Sequence, residues 1–110
     1  MAALDFNIIL NEMISAGKAS FSSKWPKIKD LATTSFKKLS LTLVNIEEMR
    51  LAGTITEAQA KLMVDMDKNS FKIVLLSVEG LGLLAVEDAL NAALNVIRKA
   101  VNTAVGFILL

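Results

Sequence analysis

The chain has 110 residues, of which 54% are hydrophobic, and its formal net charge is +1 at pH 7. This length predicts a single domain spanning residues 1–110, with an apolar content above the roughly 45–50% of ordinary soluble domains. The absence of cysteine excludes a disulfide framework and thiol chemistry, whereas the near-neutral charge argues neither for nor against an acidic partner.

The first half of the chain carries apolar residues at helical spacing on both sides of its one proline, Pro26. The stripe before Pro26 comprises Phe6, Ile9, Leu10, Met13, Ile14, Gly17, Phe21 and Trp25. The stripe after it advances in alternating steps of four and three, as in a heptad seam: Ile28, Ala32, Ser35, Leu39, Thr42, Ile46 and Met49. Either one helix runs through Pro26 with a kink, or the chain breaks there and the proline begins a new helix.

The clearest turn signal lies at Gly53, a residue type suited to the left-handed position that ends a helix. Thr54 with Glu57, or Thr56 with Gln59, then has the spacing of a capping box. This pattern predicts a turn between two helices.

The second half shows a change of polar face at Gly80 and Gly82. Charged residues between Glu57 and Glu79 follow one helix face, whereas the polar face beyond Gly82 is rotated by about 120°. A straight helix cannot turn both faces to solvent. Either the helix bends at Gly80–Gly82, or residues 73–86 are surrounded by protein.

These features predict an all-α fold with no strand. Pro26 lies 27 residues before Gly53 and Gly80 lies 27 residues after it. We therefore expect an antiparallel helical hairpin that turns at Gly53, with each arm broken near its middle, at Pro26 and at Gly80/Gly82. The four resulting segments are bundle-like and completed by oligomerisation. The pattern leaves open whether they form a hairpin of roughly 70–80 Å or fold back into a compact bundle.

The residue types needed for most catalysis are missing, since the chain has no histidine, cysteine or tyrosine. Adjacent acids such as Glu47 and Glu48 point about 100° apart on a helix, so they do not converge on one reacting atom. The run from Asp65 to Ser70 begins like an EF-hand loop, but it lacks the required glycine at its sixth position. We expect no enzyme activity, no cofactor, no metal site and no small-molecule substrate.

The apolar C-terminal part predicts self-association into a homo-oligomer, because apolar side chains are stabilised when another subunit buries them away from water. The residues expected to face another copy are Leu83, Val86, Leu90, Ala93, Ile97, Ala100, Ala104 and Ile108. Charged residues disfavour this part of the chain as a lone membrane span.

The alternative is a protein that acts on membranes or other hydrophobic surfaces, as a surface coat or a pore-forming bundle. Its contacts with an anionic surface would come from Lys24, Trp25, Lys27, Lys29, Lys37 and Lys38. A nucleic-acid partner is disfavoured, because these lysines are spread around the helix rather than aligned. The N-terminus lacks the features of a signal peptide, so the cytoplasm is the expected compartment.

Overall fold

The computed structural model describes residues 3–110 and places most of them in α-helices. Helix α1 spans Phe6–Phe21, α2 spans Trp25–Leu51, α3 spans Glu57–Leu76 and α4 spans Leu83–Val105, with a single 3₁₀ turn at Ser22–Lys24. Within residues 3–110 there is no β-strand, so the predicted all-α class is confirmed.

The chain breaks before Pro26 and the proline lies in the first turn of a new helix, which is the second of the two alternatives at this position. Helix α1 ends at Phe21. The next residue, Ser22, has a φ of +54°, and its N–H donates to the carbonyl oxygen of Lys18. Pro26 occupies the first turn of α2. A missing N–H is harmless there, because the first amides of a helix have no intrahelical acceptor.

The turn between α2 and α3 depends on Gly53, which has a φ of +71°. The Thr54 N–H returns to the carbonyl oxygen of Met49 at 2.9 Å, which satisfies one of the last carbonyls of α2. Thr56 and Gln59 form the capping box that begins α3, with hydrogen bonds of 2.9 and 3.1 Å. These hydrogen bonds therefore satisfy backbone groups at the end of α2 and at the start of α3.

Consecutive helices pack antiparallel. Leu4 near the start of α1 donates its N–H to Glu47 near the end of α2, while Gly17 lies against Phe36. Helix α4 runs beside α1, and this pair makes the most extensive contact in the fold. The longest Cα extent is 43 Å, so the alternative of an extended 70–80 Å hairpin is wrong and the chain is compact.

The buried side chains of all four helices form one hydrophobic cluster. At its centre the ring of Phe36 lies 5.1 Å from that of Phe71, measured between centroids. Gly17 lets this ring approach the α1 backbone, because a Cβ built there would lie 2.7 Å from Phe36 Cε2. The α1–α2 packing thus depends on the lack of a side chain at Gly17.

Candidate self-association surfaces

Half of the predicted self-association residues lie inside the single chain. Val86, Leu90, Ala93 and Ile97 are buried in the core, on the face of α4 that packs within the bundle. They are therefore unavailable to a second copy in this fold. Their stripe is apolar because α1 and the other helices of the same chain cover it.

The other four predicted residues are exposed or half-buried, but they do not form one continuous patch. Leu83 begins α4 and Ile108 follows its end, so the whole length of the helix, about 34 Å, separates them. Ala100 and Ala104 line an open cavity of 680 Å³ between the end of α4 and the start of α1. Beyond Gly106 the chain is tied to Asn102, whose side-chain oxygen accepts from the N–H groups of residues 109 and 110.

The same cavity is bordered by Glu47, a carboxylate that is only 1% exposed. One oxygen accepts from the Ala3 N–H at 2.7 Å and the other from the Leu4 N–H at 2.9 Å. Its neighbour Glu48 is exposed, so the two acids point apart. Glu47 therefore anchors the backbone before α1. Its sequence signal is an acidic residue close to the apolar stripe of α2.

A second apolar face runs along α3 on the side opposite to its core face. Leu62, Met66, Ile73 and Leu76 are 61%, 62%, 70% and 39% exposed, and all lie within about 40° of one line along the helix. Val64 and Phe71, which enter the core, lie about half a turn away. We call these four residues, with Asn69 between them, the α3 outer face. The predicted self-association surface lies on α4 and includes none of these residues.

Polar contacts join α3 to α2 beside the α3 outer face. Thr42 Oγ1 donates to the Asp67 carboxylate, and Lys38 Nζ lies 3.8 Å from Asp67 Oδ1. This is the single ion pair between side chains in the part of the chain that the structure describes. Asp65 and Lys72, on the other flank of the outer face, have no such intramolecular partner among those residues.

The residues predicted to contact an anionic surface do not form one exposed patch. Trp25 is buried and stacks on Phe21, with 6.4 Å between ring centroids. Lys27 Nζ donates to the carbonyl oxygen of Glu79 at 2.7 Å, and Lys24 Nζ donates to that of Gly80 at 3.2 Å. These two lysines therefore bind backbone carbonyl groups of the turn after α3, while Lys29 and Lys37 remain exposed on α2.

Comparison with known proteins identifies no match, whether the chain is set against family models, curated proteins or solved structures. Across residues 3–110, no group of three acidic side chains is positioned to hold a metal ion. In that same range, no helix combines the length and apolar character that a membrane crossing requires.

Proposed function

We propose that this protein is a non-enzymatic helical interaction protein whose partner is a second copy of itself. In this proposal each chain forms one antiparallel bundle whose α2–α3 hairpin turns at Gly53, and contact with another subunit covers the apolar surface that remains exposed. The α3 outer face carries the proposal. Four large apolar side chains aligned on one face of one helix are more than the scattered exposed residues of an ordinary surface.

The non-enzymatic part is supported by the residue types present. The chain has no histidine, cysteine or tyrosine, and the most deeply buried carboxylate, Glu47, is engaged by two backbone N–H groups. A carboxylate whose two oxygens both accept backbone N–H groups stabilises the fold, which supports a structural role for Glu47.

Self-association is favoured over action on a lipid or other hydrophobic surface. A surface-binding face would combine exposed aromatic and basic side chains. Here Trp25 is buried, and Lys24 and Lys27 are engaged with backbone carbonyls of the α3–α4 turn. The α3 outer face instead offers a narrow apolar stripe, which suits a helix.

The test is sedimentation velocity over the micromolar range, with vesicle flotation as a parallel measurement. We expect the sedimentation coefficient to rise with protein concentration and no flotation with anionic vesicles. A monomer at every concentration would refute the proposal. Flotation of a monomeric protein would show that the apolar side chains serve a lipid surface instead.

A further inference from the structure

We infer that two copies of this chain associate through the α3 outer face, as an antiparallel pair of α3 helices with a two-fold axis at Asn69. The inference rests on the proposed self-association and names its interface and geometry. It replaces the predicted α4 surface, whose central residues are buried within one chain.

The spacing of the α3 outer face is symmetric about Asn69. Leu62 and Leu76 each lie seven residues from Asn69, and Met66 and Ile73 lie three and four residues from it. In an antiparallel pair centred there, Leu62 meets Leu76 of the second copy and Met66 meets Ile73, to within about 1.5 Å along the axis. The steps of four and three are those of a heptad seam, so knobs from one helix meet holes on the other.

Asn69, the polar residue at the centre of the α3 outer face, can pair with the same residue of the second copy. Asn69 is exposed in the single chain and would face Asn69 of the second copy at the two-fold axis. An amide carries both a donor and an acceptor, so two of them can satisfy each other. A single asparagine within an apolar helix seam fixes the register of the helices for this reason.

The charges beside the seam select the antiparallel arrangement. Asp65 and Lys72 lie on the same flank of the α3 outer face, while the opposite flank carries Gln59, Ser70 and Ser77. An antiparallel two-fold brings equal flanks together, which places Asp65 of each copy beside Lys72 of the other. A parallel pair would bring Asp65 and Lys72 against the uncharged flank. Complementary charges along the edge of a helix seam set orientation in this way.

The size of the seam sets the expected affinity. Helix α3 has 20 residues and is about 30 Å long. An interface built on one such helix from each copy falls at the low end of specific interfaces, below about 1,200 Å² in total. We therefore expect a reversible dimer in the micromolar range rather than an obligate one.

Cysteine cross-linking tests the geometry, because the chain contains no cysteine of its own. The Asn69→Cys variant should form a covalent dimer rapidly under mild oxidation, since the two-fold places both sulfurs together. The matched variant Leu62→Cys should not, since the two sulfurs would lie about 21 Å apart along the seam. Equal cross-linking of both variants would indicate a parallel pair and overturn the antiparallel geometry.

Charge exchange provides a second test, by sedimentation equilibrium. Asp65→Lys and Lys72→Asp each create two like-charged contacts and should weaken the dimer about tenfold, whereas the double variant should recover the wild-type affinity. If the double variant still dimerises more weakly than the wild type, the Asp65–Lys72 pairing is refuted. Because both residues are surface groups on the flank of α3, the thermal midpoint of a dilute, monomeric sample should remain unchanged.

Apolar substitutions separate this inference from the proposed function. Met66→Glu should yield a folded monomer, while Leu41→Glu, at an exposed leucine of α2, should leave the dimer intact. If the wild-type protein associates and Met66→Glu has no effect, the α3 interface is wrong and self-association stands. If the wild-type protein is monomeric at every concentration, both are wrong.

Discussion

The contact between Gly17 and Phe36 allows a sharp prediction for the Gly17→Ala variant. The added Cβ would lie 2.7 Å from Cε2 and 2.8 Å from Cζ of Phe36, whereas carbon atoms prefer about 3.5–4.0 Å. The ring must move by about 1 Å, yet it is fully buried and packs against Phe71. Overpacking of this kind costs about 1–3 kcal/mol, while alanine in a helix gains about 1 kcal/mol over glycine. We expect a net loss of about 1 kcal/mol.

A double-mutant cycle with Phe36→Leu isolates the steric term. Leucine lacks the two ring atoms that the new Cβ would meet, so in that background Gly17→Ala should stabilise by about 1 kcal/mol through helix propensity. The expected coupling between the two sites is therefore about 2 kcal/mol. Urea unfolding followed by far-UV circular dichroism, at one fixed protein concentration, measures all four variants. Equal effects of Gly17→Ala in both backgrounds would refute the steric argument.

Two further predictions concern the core and its buried acid. Glu47→Gln replaces one acceptor of a backbone N–H with an amide donor, so it should lower the free energy of unfolding by about 1–3 kcal/mol in urea titrations. Its control is Glu48→Gln, at an exposed position, which should stay within about 0.5 kcal/mol of wild type; equal losses would show that the hydrogen bond removed at Glu47 contributes nothing. Ala93→Arg buries a charge without a partner and should prevent folding, whereas Ala100→Glu, at an exposed position, should retain the helical spectrum. A folded Ala93→Arg protein would contradict the packing of α4.

Helical periodicity predicted the all-α class because the apolar stripes and the Gly53 turn are local signals. The exact end of α1 was not predictable, because the chain offers no glycine there and Ser22 adopts the positive φ instead. The partner of each apolar stripe was harder to predict. Val86 and Trp25 lie on apolar faces, as the spacing indicates, yet spacing cannot tell cover by the same chain from cover by another molecule.

The α3 outer face was accessible in principle from the sequence. Ile73 lies about 200° around the helix from Phe71, so both residues cannot enter one core. Two opposite apolar faces of α3 are hidden when all its apolar residues are grouped together. What the sequence alone could not supply is which face turns inward, because that choice depends on packing against α2.

The extensive pairing of α1 with α4 also constrains how the chain folds. The two helices at opposite ends of the described sequence form the largest contact, whereas no Cα of α1 lies within 8 Å of a Cα of α3. Closing so long a loop carries an entropic cost that the hairpins between neighbouring helices avoid. On a ribosome, the part of the α1 core face that packs against α4 therefore stays uncovered until α4 has emerged, whereas α2 can already pack on the rest.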